Sequence, residues 1–107
     1  MRVWGLKTCD TTRKALAALR EAGHEVTFVD VRESGIDAAL AAQIVALSGD
    51  RAVNRASATW RGLGAEERDA APETLLQRHP LLMKRPVIRS GDDWTQGWDD
   101  TARRRWL

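Results

Sequence analysis

The fold is decided by residues 3–29, which read VWGLKTCDTTRKALAALREAGHEVTFV. The run opens with a short apolar segment, residues 3–6, that is typical of a strand. Apolar side chains then recur at helical spacing over residues 11–22, and Gly23 supplies a stop signal. Residues 25–29 combine alternation with β-branched and aromatic side chains. The stretch therefore predicts a strand, a helix and a second strand, with the helical crossover that parallel strands require.

The rest of the chain predicts more helices and one hairpin. Asp37 can cap a helix that runs to about Ser48. Short helical pieces are predicted over residues 65–71 and 72–78, and a last helix over about 99–107. Residues 85–97 read as a β-hairpin with a polar turn. This order predicts one mixed sheet covered by helices and fits a thioredoxin-like α/β fold with a four-stranded sheet.

Length and composition predict a soluble globular protein of common domain size. The chain has 107 residues, of which 43% are hydrophobic and 30% charged, so we expect a single domain, 1–107, with a helical insertion at about 37–80. No apolar run approaches the roughly 18 residues that span a bilayer, and no signal-peptide pattern is present. We therefore expect a cytoplasmic monomer without a membrane partner.

Charge and metal-ligand content exclude two further classes of partner. The net charge is only +2, and the one dense basic run, Arg103–Arg105, is interpreted as the last turn of a C-terminal helix and not as a nucleic-acid site. Two histidines are too few to predict a metal centre, and no nucleotide-binding motif is present. The five tryptophans lie on separate predicted elements, so we expect them to pack individually without sharing a face.

Cys9 is the only cysteine and lies between the first predicted strand and helix. Backbone N–H groups and the positive end of the helix dipole can lower the pKa of such a thiol from about 8.5 to roughly 3.5–7.5. An unpaired cysteine can also be a small buried core residue. The polar neighbours in residues 7–13 favour the reactive interpretation. A lone thiol forms no internal disulfide, so a redox cycle takes its second thiol from another molecule.

Several segments resemble the arsenate-reductase-related (ArsC/Spx-type) family of thioredoxin-fold proteins, above all its YffB-type branch. They are residues 4–15 (WGLKTCDTTRKA), 30–32 with 35–37, 54–55 with 59–61, and 79–87 (HPLLMKRPV). The resemblance implies a glutathione-dependent thiol-disulfide oxidoreductase whose single nucleophile is Cys9. It implies glutathione as co-substrate and, in one version, glutaredoxin as a partner.

The implied site surrounds Cys9. The residues expected to bind substrate or glutathione are Lys7, Thr11, Thr12, Arg13, Arg55, Arg85 and Pro86. Hydroxyls and loop N–H groups would hydrogen-bond the thiolate, and cations would favour its charge. The resemblance further implies that Pro86 is cis and faces the cysteine loop, where a peptide-like ligand can bind the preceding backbone.

Simpler interpretations stand beside these roles. Either Thr11 or Thr12 can cap the helix without any chemical role, and Arg85-Pro86 can be an ordinary strand entry. Arg61 is interpreted as a solvated helix residue.

Two other functions are compatible with the resemblance. In an arsenate reductase Arg55 and Arg85 would hold the oxyanion, but Asp10 puts a negative charge beside the thiol and Gln96 stands where the family has a third arginine. A Spx-like regulator would bind RNA polymerase without catalysis, but such proteins usually carry Cys-x-x-Cys, whose second position is here Thr12.

Overall fold

A computed structural model describes all 107 residues as four strands and seven α-helices. The strands are β1 (Arg2–Gly5), β2 (Thr27–Asp30), β3 (Val87–Ser90) and β4 (Asp93–Gln96). The helices are α1 (Asp10–Glu21), α2 (Val31–Ser34), α3 (Ala38–Ser48), α4 (Ala58–Arg61), α5 (Ala65–Arg68), α6 (Pro72–Arg78) and α7 (Asp100–Trp106). Short 3₁₀ turns lie at Gly49–Ala52 and Pro80–Leu82.

As predicted, the four strands form one mixed sheet, and their order in it is β2-β1-β3-β4. β1 runs parallel to β2 and antiparallel to β3, and β3 pairs with β4 in an antiparallel hairpin. Gly5, the last residue of β1, therefore lies opposite Asp30, the last residue of β2. Its neighbour Trp4 pairs with Val87, the first residue of β3. The loop after β1 and the segment before β3 thus meet at one end of the sheet.

The chain divides into two compact units, and the sheet belongs to the first, residues 1–31 with 85–107. Its core is a cluster of apolar side chains from β1, β3, α1 and α7. The cluster consists of Val3, Leu16, Leu19, Ile88 and Trp106. The indole N–H of Trp106 donates to Thr95 Oγ1 at 2.8 Å, and His24 Nε2 donates to the Trp106 carbonyl at 2.7 Å. These bonds hold the end of α7 against β4 and against the loop between α1 and β2.

The second unit, residues 32–84, is helical and packs α3 against α6. Its fully buried side chains include Ile44, Leu75 and Leu76. An isolated antiparallel bridge pairs Val53 with Met83, the residues that directly follow the two 3₁₀ turns. The predicted insertion at about 37–80 falls within this unit, and the single-domain organisation stays a prediction. No helix of either unit is both long and apolar enough to cross a membrane.

A carboxylate links α5 to the end of α6 in the second unit. Glu67 Oε1 accepts from His79 Nε2 at 2.9 Å, and Oε2 lies 3.3 Å from Arg78 Nη1. The hydrogen bond from His79, reinforced by Arg78, lowers the pKa of Glu67. The helical piece predicted over residues 72–78 is confirmed, since α6 runs from Pro72 to Arg78.

Three expectations need correction. α1 begins at Asp10, so Cys9 itself is the N-cap residue and neither predicted threonine caps the helix. α2 follows β2 directly and was not predicted. Trp4 and Trp94 share a face, because their rings stack with centroids 5.4 Å apart and planes 5° from parallel.

Candidate active site

Cys9 lies in a tight turn that joins β1 to α1. Its N–H donates to the Leu6 carbonyl at 3.1 Å, which closes a four-residue turn, and its own carbonyl accepts the Arg13 N–H at 3.0 Å. The backbone at Cys9 is extended, with φ −86° and ψ 121°, as is usual for an N-cap residue. The half-buried thiol is therefore placed at the N-terminus of a twelve-residue helix.

Thr12 lies beneath the thiol and is the only polar residue in the buried set. Its side chain is fully buried, and its hydroxyl oxygen makes no hydrogen bond of normal geometry within the chain. The Cys9 side chain likewise makes no capping bond of normal geometry to the helix. Because thiol sulfur is a weak acceptor and thiolate sulfur a strong one, the Thr12 donors become effective when Cys9 ionises.

Gly5 makes room for Thr12. A Cβ atom at Gly5 would lie 2.6 Å from both Cγ2 and Oγ1 of Thr12, a distance that side chains cannot tolerate. Because Gly5 has no side chain, α1 approaches β1 closely enough for Thr12 to pack against it. This role was not predicted from the sequence, although a glycine inside a strand is a signal of close backbone approach.

Arg85 approaches Cys9 from the segment that precedes β3. The Arg85-Pro86 peptide bond is cis, as the resemblance implied, and Pro86 is fully buried. The half-buried Arg85 side chain interacts with the Cys9 sulfur through a hydrogen bond and through its charge. Arg85 therefore lies beside the cysteine, and its contact with substrate or glutathione stays a prediction.

Opposing effects set the pKa of Cys9. Partial burial raises it and is the largest single effect. The side chain and backbone N–H of Thr12, followed by the hydrogen bond and charge of Arg85, together outweigh burial, so the pKa is lowered overall. The arrangement favours a thiolate, the nucleophilic form of cysteine.

The other candidates of the loop have different surroundings. Arg13 forms an exposed ion pair with Asp10, with Nη2 and Oδ1 2.8 Å apart, so the two opposite charges beside the thiol offset each other. Thr11 and Lys7 are exposed, and the Lys7 N–H donates to Asp30 Oδ2 at 2.9 Å. Their contacts with a substrate stay predictions.

Gln96 lies at the same end of the sheet as Arg85. It pairs with Val87 across β3 and β4, and the N–H of the next residue, Gly97, donates to the Pro86 carbonyl at 2.8 Å. A neutral amide therefore occupies a position close to the cis-proline segment. Its presence there supports the expectation that this end of the site has fewer cations than an oxyanion reductase uses.

Arg55 lies in the second unit, at a cleft of about 420 Å³ lined also by Arg51 and Lys84. Its Nη1 donates to the Asp50 carbonyl at 2.8 Å, and its guanidinium lies 5.2 Å from the Trp60 ring centre. These contacts hold the guanidinium in one orientation. Its role toward glutathione stays a prediction. The exposed Arg61 side chain donates to the Ala56 carbonyl at 2.7 Å, a contact within the second unit.

The fold and the cysteine loop define a class: a thioredoxin-like α/β protein with one cysteine at the N-terminus of the first helix. The ArsC family model matches residues 4–105. The chain therefore belongs to the ArsC family.

Similar proteins agree with this assignment. An uncharacterized protein of Haemophilus influenzae is 36% identical over 91 residues, which cover 80% of each chain. The solved structure of a YFFB protein has 30% identity and a TM-score of 0.90, covering 99% of this chain and 97% of the other. An arsenate reductase (ArsC) related protein from Brucella melitensis has 27% identity and a TM-score of 0.73, covering 98% and 92%. The predicted thioredoxin-like fold is confirmed.

Proposed function

We propose that this protein is a glutathione-dependent thiol-disulfide oxidoreductase in which Cys9 is the nucleophile. The observation that carries the proposal is the convergence of Thr12 and Arg85 on a half-buried thiol, which lowers its pKa. Family membership supports a thiol-dependent reductase, and the single cysteine supports a cycle completed by an external thiol.

The reaction uses two thiol-disulfide exchanges. The Cys9 thiolate attacks the glutathione sulfur of a mixed disulfide R–S–S–G, the S–S bond breaks, and the released RS⁻ takes up a proton to leave as RSH. A second glutathione, as its thiolate, then attacks the glutathione sulfur attached to Cys9. This step releases oxidised glutathione and regenerates the Cys9 thiolate. The net change is RSSG and GSH to RSH and GSSG, so electrons and protons balance.

The side chains near Cys9 have separable tasks. Thr12 and Arg85 stabilise the thiolate both as attacking group and as leaving group of the second exchange. Arg85 is also placed to pair with a glutathione carboxylate, because guanidinium matches carboxylate geometry. The Asp10–Arg13 pair leaves the loop with little net charge, which suits a peptide-like substrate better than a highly charged oxyanion.

The first test is the pH dependence of Cys9 alkylation by iodoacetamide, with and without a glutathione analogue. We expect a lowered pKa. Because the glutathione thiol itself consumes iodoacetamide, binding is tested with S-methylglutathione, which should protect Cys9 and should protect it less in Arg85→Lys, which keeps the charge but loses the planar fork. A pKa near about 8.5 would contradict the proposal.

Turnover provides the second test. A glutathionylated peptide should be reduced in the presence of glutathione, and Cys9→Ser should abolish the reaction. Parallel reactions with arsenate, and with arsenate plus glutaredoxin, decide between substrates. Arsenite formation without peptide reduction would replace the proposal by arsenate reduction, and no turnover of either by folded protein with a reactive Cys9 would favour a binding protein.

A further inference from the structure

A carboxylate from the neighbouring strand holds the turn that carries Cys9. Asp30 Oδ2 accepts the backbone N–H of Lys7 at 2.9 Å, across 23 residues of sequence. Asp30 ends β2 and lies opposite Gly5, which ends β1, so the strand register brings its side chain to the start of the turn. The contact is built by the parallel pairing of the first two strands.

Asp30 adds a hydrogen bond that the turn does not make by itself. The closing bond of the turn, from the Cys9 N–H to the Leu6 carbonyl, involves only the two end residues. The N–H of Lys7 lies inside the turn sequence, takes no part in that bond and donates to a group outside the turn. Asp30 supplies that group, and because a carboxylate is charged, the bond is stronger than one between neutral groups.

We propose that Asp30 is a positioning residue for Cys9: it fixes the Leu6–Cys9 turn so that the sulfur faces Thr12 and Arg85. This inference rests on the proposed function, since positioning matters only if Cys9 reacts. A shift of the turn would remove the sulfur from both stabilising side chains at once. The angular and distance tolerance of hydrogen bonds is narrow, so a small displacement is enough.

A purely structural role is the alternative, because Asp30 directly precedes α2 and a carboxylate there can cap that helix. Asp30→Ser separates the two roles. A serine hydroxyl caps helix termini well, but it is about one bond shorter than the carboxylate and so cannot reach the Lys7 N–H. Asp30→Ala removes both interactions, and Asp30→Asn keeps an amide oxygen for both.

Two matched controls lose the same kind of bond away from the cysteine. Asp99 accepts the Ala102 N–H at 3.0 Å and caps α7 in the same unit, and Asp37 accepts the Leu40 N–H at 2.8 Å and caps α3 in the other. Asp99→Ala and Asp37→Ala should each reduce stability as a lost helix cap does. Neither should change the titration of Cys9.

The experiment is the pH profile of Cys9 alkylation in the full chain for all six proteins, with urea unfolding of each. On the acidic side of the Cys9 titration, we expect the alkylation rate to fall roughly tenfold in Asp30→Ala and Asp30→Ser, as a pKa rise of about one unit would give. Asp30→Asn should recover most of the wild-type rate. If Asp30→Ala does not fold, Asp30→Ser decides between positioning of the turn and capping of α2.

The outcomes separate this inference from the proposed function. A lowered pKa in the wild type that persists in Asp30→Ser would overturn the positioning role alone. An equal rise in pKa in Asp99→Ala would also overturn it, because the effect would then follow from general destabilisation. An ordinary pKa in the wild type would overturn the proposed function together with the inference.

Discussion

Thr12 packs directly against the backbone of Gly5, because Gly5 has no side chain. The space a Cβ of Gly5 would occupy lies 2.6 Å from the Thr12 hydroxyl and methyl group, so β1 and α1 approach more closely here than two side chains allow. The consequence extends to Cys9, whose thiolate is stabilised by Thr12. A residue without chemistry of its own thus contributes to the reactivity of the cysteine.

Gly5→Ala should displace Thr12 and raise the pKa of Cys9. Overpacking of this kind costs about 1–3 kcal/mol of stability, and the alkylation rate at neutral pH should fall with it. Urea unfolding and alkylation kinetics measure the two effects. Gly62→Ala is the control, because its Cβ would meet only ordinary contacts from 3.5 Å outward at φ −80°. An unchanged rate of Cys9 alkylation in folded Gly5→Ala would contradict the role of Thr12 in lowering the pKa of Cys9.

Thr12→Val should make the protein more stable and Cys9 less reactive. Valine has nearly the shape of threonine, and it removes a buried hydroxyl that lacks a partner while the thiol is neutral. Relief of that unsatisfied group should add about 1 kcal/mol to the free energy of unfolding at mildly acidic pH. Without the hydroxyl, the pKa of Cys9 should rise. Thr12→Ser keeps the hydroxyl, so Cys9 should retain a low pKa in this variant. If the pH profiles of Cys9 alkylation were the same in Thr12→Val and Thr12→Ser, the hydroxyl would not be what lowers the pKa.

The lowered pKa of Cys9 makes stability depend on pH. A group whose pKa is lower in the folded than in the unfolded chain adds stability above its unfolded pKa, about 8.5 for a thiol, and loses it as pH falls through the folded value. The stability of the wild type relative to Cys9→Ser should therefore increase as pH rises through that window. Urea unfolding of both proteins under reducing conditions measures the difference. If the free energies of unfolding of the two proteins ran parallel with pH, the pKa of Cys9 would be the same in the folded and unfolded chain.

The Glu67 carboxylate should give a second pH dependence at acidic pH. His79 and Arg78 lower its pKa, so its stabilisation is present above its unfolded pKa, about 4.3, and is lost as pH falls through the lower folded value. Glu67→Gln should be less stable than the wild type at neutral pH, and the difference should shrink in acid. Glu66→Gln, on the same short helix, is the control. A difference that is independent of pH would assign the effect to packing.

Local sequence signals predicted the regular elements well. Asp37 was expected to cap α3 and the helix to run to about Ser48, and both predictions are confirmed, since capping chemistry depends on neighbours in sequence. The same reasoning failed at α1. Thr11 and Thr12 are better caps than cysteine by propensity, but Thr12 is held inside the helix by its burial against Gly5. Tertiary contact overrode the local preference.

The contacts that tune the site depend on strand register. Neither the stacking of Trp4 on Trp94 nor the bond from Lys7 to Asp30 follows from local pattern, because each joins residues that only the paired strands bring together. The expectation for Arg85 and Pro86 came from family resemblance. Spacing alone left them as an ordinary strand entry. The candidate nucleophile, Cys9, could therefore be predicted from local sequence, whereas the contacts made through strand register could not.

Having one thiol also limits the forms this protein can take when oxidised by disulfide exchange. With no second cysteine to pair with, the chain cannot isomerise its own disulfides, and each chain oxidised in this way carries one external molecule attached at residue 9. The mass of the intact chain, isolated from its cell under conditions that quench exchange, would therefore identify the compound with which it last reacted.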